Sequence, residues 1–339
     1  MSAFYPALTA DFSRLLARLR GHRVAVIGHA RPDGDCIGSQ IALARVLGAA
    51  GYDVTCVNAD AVPRRLEFLT QGMRFLRAEA MQADTGDYAA VFVDSADHAR
   101  PGERLKARFP APVGNIDHHL SNIGYAEINL VDSGSAATAE ILTGLVLDQG
   151  LPLDAQSAQG LYAGIVTDTG QFRFASTSRR TFLLAAELLA RGARPPEVGL
   201  ELYERESVGR LKLLQHYLAS LRLHCGGRVC VGSLAQGIFE STGTTAEDTE
   251  GLVDYARSID GVDVGVLIEA RGDGAVKASL RAKEAAYRLD LIAAEFNGGG
   301  HACAAGLNLP QGAEDFEARL VTALTRQIAL VDGTRGVTP

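Results

Sequence analysis

His29-Ala30-Arg31-Pro32-Asp33-Gly34-Asp35-Cys36-Ile37-Gly38-Ser39 lies between a short apolar run, Val24 to Gly28, and a segment, Ile41 to Leu47, whose apolar spacing is helical. The stretch is therefore predicted to be a strand-to-helix turn. In an open α/β sheet, ligands bind at the carboxyl ends of the strands, where such a turn sits. His29, Asp33 and Asp35 put one imidazole and two carboxylates into it, a donor mix suited to Mn²⁺ or a similar ion. Taken alone, the same residues also read as an Asx-rich turn capping a helix. The rest of the chain has to decide.

A chain of 339 residues with 47% hydrophobic and 22% charged residues is expected to be an ordinary globular protein of two domains. Met1 to Arg23 has no long apolar core of the signal-peptide kind. No window approaches about 18 uninterrupted apolar residues, so no membrane span and no membrane partner are expected. The five cysteines are odd in number and scattered without a Cys-x-x-Cys pair, which suits a reducing cytoplasm and argues against a disulfide framework or zinc ribbon. A net charge of −7 argues against a protein that coats long nucleic acid. It leaves room for a short nucleotide substrate, because bound divalent cations reverse the sign locally.

Outward from the opening turn, Asp53 to Asn58 reads as a second strand and residues 62 to 86 as short helices and loops. Tyr88 to Val93 is a continuous apolar run, as in a strand covered on both faces, and it ends at Asp94. Pro112 to Ile116 is another short strand, ending at Asp117-His118-His119. Three strand ends thus carry ligand-type side chains, which a parallel sheet would gather on one edge. Helices are predicted after Ser133-Gly134-Ser135, over Leu153 to Thr167 with Asp168 at its end, and from Thr177 to about Arg191. Gly192-Ala193-Arg194-Pro195-Pro196 is the best boundary, and one helix from Glu197 to Ala219 is predicted to connect the domains. Beyond it, strands at Arg228 to Leu234, Val262 to Ala270 and Ala275 to Leu280 alternate with helices at Ala246 to Arg257 and Leu289 to Phe296. The last two strands are joined by Arg271-Gly272-Asp273-Gly274, a hairpin-type turn. Asn297-Gly298-Gly299-Gly300-His301 follows, then a helix over Ala313 to Leu330 and a frayed tail. The predicted domains are 1–194, a connector over 195–220, and a smaller α+β domain over 221–332.

His29, Asp33, Asp35, Asp94, His118 and Asp168 are enough donors for two metal ions. Ions about 3.5–4 Å apart can share a carboxylate and clamp a phosphoryl group from both sides. Asp94, alone at the end of a central strand, suits the shared position. Neighbours in an extended segment point to opposite sides, so only one of His118 and His119 is expected to be a ligand. Gly298-Gly299-Gly300 allows backbone N–H groups to approach an anion closely, and His301 adds a donor.

These motifs, together with Val93-Asp94-Ser95 and Thr167-Asp168-Thr169, resemble the DHH/DHHA1 phosphoesterase superfamily from about residue 20 to 330. The length, without extra domains, resembles its NrnA group, which acts on short RNA and on 3′-phosphoadenosine 5′-phosphate (pAp). Ala30 and Cys36 depart from the usual motif without removing a ligand. The resemblance implies an α/β fold: a parallel-sheet DHH domain holding two Mn²⁺ (Mg²⁺ or Co²⁺ as substitutes), a smaller α+β DHHA1 domain, and an active site in the cleft between them. By the same resemblance, His29 and Asp33 hold one metal and Asp35, His118 and Asp168 the other, with Asp94 bridging. Asp117 orients a ligand or the loop, and His119 faces the substrate phosphate, stabilising charge or protonating the leaving oxygen. Ser279, Arg281, Gly299, Gly300 and His301 are implied phosphate contacts. Arg173 is a further candidate contact, equally well read as an ordinary surface arginine. A homodimer is suggested by resemblance only.

The expected activity is thus Mn²⁺-dependent hydrolysis of short oligoribonucleotides to mononucleotides and of pAp to AMP in the cytoplasm. Hydrolysis of cyclic diadenylate or its linear form pApA is the near alternative. A catalytically inactive nucleotide-binding regulator is the alternative of a different class. A RecJ-type exonuclease would carry an oligonucleotide-binding fold and a more basic surface. A family II pyrophosphatase would lack the Gly298–His301 motif.

Overall fold

Two strands carry the architecture, β1 (Arg23–Ile27) and β4 (Tyr88–Val93), which pair in parallel at the centre of the first sheet. The computed structural model describes residues 3–81, 88–271, 274–310 and 315–335. With β2 (Asp53–Asn58), β3 (Phe75–Arg77), β5 (Gly114–Asp117) and β6 (Ile128–Val131), they form an all-parallel sheet of order β3-β2-β1-β4-β5-β6. The chain leaves β1 toward one edge and resumes at β4 toward the other. The gap between their C-terminal ends is therefore the topological switch point, where doubly wound sheets open a crevice.

Alternate residues of the two central strands serve opposite layers, as a period of two requires. Val24, Val26, Val91 and Val93 join a core with α1 (Thr9–Leu19), α2 (Gly34–Ala49), α4 (Thr138–Asp148), α5 (Ala155–Asp168) and α6 (Arg179–Ala190). Ala25, Ile27, Ala90 and Phe92 pack on the other face with Leu105 of α3 (Glu103–Arg108). Both faces being covered explains the uninterrupted apolar run at Tyr88 to Val93.

Alpha-carbon contacts divide the chain into Met1–Arg205 and Glu206–Pro339. The single helix predicted over 197–219 does not form. Instead α7 (Pro195–Gly199) passes into one π-helical turn, Leu200–Glu204, and a new helix, α8 (Val208–Ala219), starts where the Ser207 side chain accepts the Arg210 N–H. Residues 195–220, read from the sequence as a connector, are accordingly shared between the two units. The helix expected after Ser133-Gly134-Ser135 begins only at Thr138, because Ser135 is engaged in a turn with Asp132.

The second unit holds a mixed sheet of order β11-β12-β10-β9-β8-β7. Its strands are β7 (Arg222–His224), β8 (Val229–Leu234), β9 (Val264–Ala270), β10 (Val276–Ala282), β11 (Gly299–His301) and β12 (Ala304–Leu309). The β9–β10 pair is antiparallel as the hairpin reading requires, while Gly272 and Asp273 of its turn lie outside the described residues. The helix predicted over 246–257 is a 3₁₀ turn, Ala246–Thr249, and then α10 (Leu252–Ser258), separated by Gly251 at φ +77°. The short α9 (Ile238–Thr242) and α11 (Leu289–Ala294) complete the layers with α12 (Phe316–Arg335), which continues into the segment expected to fray from Val331, whose residues 336–339 lie outside the described residues. Among the described residues, no helix is long and apolar enough to cross a membrane.

The position of the site depends on how closely α2 and α5 approach. A Cβ on Gly38 would stand 2.1 Å from the Gly160 carbonyl oxygen, a backbone atom that cannot swing aside. Gly38→Ala is expected to destabilise the protein by about 1–3 kcal/mol through overpacking. Gly48→Ala, on the same helix with nothing within 4 Å of the added methyl, should stabilise by about 0.5–1 kcal/mol. Urea unfolding of the two variants checks the pair.

Candidate metal centre

The chain leaves β1 at Ile27 and places His29 at the switch point, buried. Its Nδ1 lies 2.9 Å from the Ala30 carbonyl oxygen and donates to it, which in the neutral ring leaves the lone pair on Nε2. Among the described residues that Nε2 is buried without a hydrogen-bond partner, and it sits 3.3 Å from Asp94 Oδ2 and 3.7 Å from Asp33 Oδ1. An orphaned buried acceptor facing two carboxylates is what a nitrogen ligand to a cation looks like in the protein alone. Asp33 is at the same time the N-cap of α2, its Oδ1 accepting the Cys36 N–H at 3.0 Å. The cap reading of this turn holds, and the same side chain stands beside His29 and Asp94, where the ligand reading requires it.

Asp35, fully buried in the first turn of α2, receives two N–H groups from the start of α4: Thr138 N at 2.7 Å and Ala139 N at 2.8 Å. The positive end of the α4 dipole thus holds this carboxylate in place. Asp94 follows β4 in the left-handed region, at φ +55°, a conformation Asp adopts more readily than most residues. Thr138 Oγ1 donates to Asp94 Oδ1 at 3.1 Å. His118 presents Nε2 to Asp168 Oδ2 at 3.2 Å, Asp94 Oδ1 at 3.6 Å and Asp35 Oδ2 at 4.0 Å. Its Nδ1 faces the Ser135 carbonyl oxygen at 3.4 Å.

The structure therefore brings all six sequence-derived candidates together, in groups whose donor atoms lie within 4.8 Å of one another: His29, Asp33 and Asp94, then Asp35, His118 and Asp168, with both His118 and His119 in a third group around Asp94. Asp94 Oδ2 faces the first group and Oδ1 the second, so one carboxylate adjoins both. Oxygen and imidazole donors in this ratio fit Mn²⁺ or a comparable divalent ion.

Asp117, also fully buried, accepts from Asn122 Nδ2 and from His119 Nδ1, each at 2.7 Å. On the far side of the ring, Arg100 Nη1 lies 3.0 Å from His119 Nε2. Arg100, Asn122 and Thr138 were not singled out from the sequence, and Ser135 only as part of a helix-start signal. Only the closeness of Asn122 to the His118-His119 pair gave any signal of a place in the site, since the others act through contacts that spacing does not reveal.

Crowding of charge shows in the proton affinities. Burial, with Asp94 and Asp168 nearby, pushes Asp35 well above the usual carboxylate range. Burial likewise raises Asp168 to about 6, with Asp33 and Asp94 adding to the effect and His118 opposing it. For Asp94 burial would raise the value, but His29, His118 and His119 outweigh it and hold the carboxyl below its ordinary range. Burial alone would lower His118, yet the surrounding carboxylates of Asp168, Asp94 and Asp35 bring it up to about 10. Four clustered carboxylates cannot all stay ionised here without a compensating cation or proton.

In the second unit, β10, β11 and β12 place Ser279, Arg281, Gly299 and His301 on one face. Ser279 and Gly299 both pair with Gly306, and Arg281 and His301 both pair with Ala304. Gly300, at φ +141°, is required by the strand pairing itself, since a Cβ there would lie 2.5 Å from the Ala304 carbonyl oxygen. Arg281 Nη1 donates to the Leu280 carbonyl at 3.1 Å. Arg173 is exposed and turns its Nε back to the Gly170 carbonyl at 2.7 Å, which suits the surface-arginine reading.

Residues 23–165 match the model of the DHH family, N-terminal domain, and residues 226–329 that of the DHHA1 domain. The chain belongs to the DHH/DHHA1 phosphoesterase family, in its NrnA-like group. A protein of Thermus thermophilus, described as a bifunctional oligoribonuclease and PAP phosphatase NrnA, is 33% identical over 286 residues, 84% of each chain. A Bacillus subtilis protein of the same description is 29% identical over 288 residues, covering 83% of this chain and 87% of the relative. The crystal structure of an exopolyphosphatase-related protein from Bacteroides fragilis shares the fold, with a TM-score of 0.85 at 24% identity over 96% of this chain and 98% of that one.

If two ions bind these groups, Mn²⁺ should raise the unfolding temperature. Each ion contributes about 2.7 kcal/mol when free metal is 100-fold above its dissociation constant. Asp94→Asn, which tolerates the left-handed backbone but removes the shared charge, should abolish most of this gain, whereas Asp33→Asn should affect one ion. Thermal unfolding with and without Mn²⁺, and metal content after dialysis, check the outcome.

Proposed function

We propose that the protein is a Mn²⁺-dependent phosphohydrolase that degrades short oligoribonucleotides to mononucleotides and converts pAp to AMP. The observation that carries this reading is the Asp94 carboxylate, with one oxygen toward His29 and the other toward His118. That arrangement suits a paired-ion site for phosphoryl transfer. The names of the Thermus and Bacillus relatives support the substrate class.

His29 and Asp33 would hold one ion and Asp35, His118 and Asp168 the other, with Asp94 common to both. Bound there, divalent cations would supply Lewis acidity and lower the pKa of a water at the scissile phosphate. The protein's own part is positional. Backbone N–H groups of Thr138 and Ala139 fix Asp35, the Ala30 carbonyl fixes the tautomer of His29, and Asn122 fixes Asp117. Ser279 and Arg281 of the second unit would bind substrate phosphate, Arg281 as a bidentate donor. Gly299, Gly300 and His301 would add donors beside them.

Purified protein in Mn²⁺ should release AMP from pAp and mononucleotides from a diribonucleotide. Asp94→Asn should lower both rates by about 10²–10³-fold, the order seen when a transition-state electrostatic contact is lost. A panel of pAp, two- to five-nucleotide RNAs, pApA and cyclic diadenylate, assayed by chromatography, tests the assignment. Turnover of neither pAp nor any short RNA would overturn it. Binding without turnover would favour a regulator.

A further inference from the structure

We propose that Arg100 is a phosphate-binding residue of this site and that His119 is its positioning partner rather than a proton donor. The inference deepens the phosphohydrolase reading and rests on it. The supporting chain of hydrogen bonds begins at Asn122, whose amide donates to Asp117 Oδ2 at 2.7 Å. The other Asp117 oxygen takes the His119 Nδ1 proton at 2.7 Å. With that proton on Nδ1, the lone pair of the neutral ring is on Nε2, and Nε2 faces a donor, Arg100 Nη1, at 3.0 Å. An imidazole accepting from a guanidinium at Nε2 is not arranged to give a proton from that atom.

Arg100 is anchored at its backbone as well. Its carbonyl accepts the Ala30 N–H at 2.9 Å, inside the first ligand turn, and the Asp97 carboxylate caps Ala99 N at 2.7 Å and Arg100 N at 3.2 Å. Arg100 is half-buried, and among the described residues its guanidinium forms no ion pair. A guanidinium has five donors, and one is occupied by His119. The others remain for an anion beside the cluster. Charge favours the same assignment. Two divalent ions would balance Asp33, Asp35, Asp94 and Asp168, which leaves Asp117 without compensation except from Arg100 through the His119 ring. A phosphate entering the site would then meet a planar donor suited to bidentate capture.

The test is a double-mutant cycle on the Mn²⁺-loaded protein, read by calorimetric titration with inorganic phosphate and with a phosphorothioate-linked diribonucleotide. Arg100→Ala should weaken both ligands by about 10- to 100-fold, as expected for lost charge-assisted hydrogen bonds. Arg100→Lys should recover part of the loss. His119→Ala should weaken both ligands too, and the double variant should lose no more than the worse single one. Bound Mn²⁺ per chain should stay at the parent value in every variant. Parent-like affinity in Arg100→Ala, additive losses, loss of Mn²⁺, or a fall in kcat for His119→Ala with affinity unchanged would each overturn the proposal. A parent that binds phosphate through Arg100 but hydrolyses no nucleotide would leave this assignment standing and remove the phosphohydrolase reading. A parent that binds neither ligand would remove both.

Discussion

The constraint on which the rest of the structure depends is the confinement of four carboxylates at one edge of a sheet. Like charges this close, away from water, repel strongly at the low effective dielectric of a protein. The surrounding backbone compensates in part. Two N–H groups of α4 end on Asp35, one N–H of α2 ends on Asp33, and a threonine hydroxyl ends on Asp94. These contacts orient the oxygens but do not neutralise them. What remains is an electrostatic demand for a compensating cation or proton, built into the fold.

The sheet topology decides where that demand is expressed. β1 and β4 are neighbours, and the chain runs outward from them in opposite directions. His29 and Asp94 therefore come together from strand ends that are far apart in sequence. α5 delivers Asp168 because it packs on α2 at Gly38 and Gly160 with backbone nearly touching backbone. A side chain at Gly38 would meet the Gly160 carbonyl oxygen and force the two helices apart. The site and the helix packing are parts of one geometric solution.

Much of this was legible in the residues. The apolar runs at 23–27 and 88–93 mark buried parallel strands, and the polar residues directly after them mark the site. Five strands escaped sequence reading: β3, β6, β7 and β11 have only three or four residues each, too few to show a period, and β12 opens on Ala304-Ala305-Gly306, residue types that carry little strand signal. The segment 197–219 reads as one helix because its composition permits one. Its interruption at Arg205 to Ser207 reflects packing into two units, which local propensity does not encode. Ser133-Gly134-Ser135 resembles a helix start, yet Ser135 bonds to Tyr5 and Asp132, and the helix begins three residues on. Thr138 and Arg100 were invisible for a related reason. Each meets the site only through a partner distant in sequence, with Asp35 lying 103 residues from Thr138.

The double use of Asp33 bears on how such a site can be lost over evolutionary time. In most enzymes, a metal ligand contributes little to the fold, so drift can erase it once the activity is no longer selected. Here the candidate ligand is also the N-cap of the helix that forms the middle of the domain, and its replacement by alanine would cost about 1 kcal/mol of stability. Asparagine is the exchange that keeps the cap while discarding the charge. Drift toward a silent member of this fold would therefore run through an Asp-to-Asn change at position 33, leaving a helix that still starts in the right place.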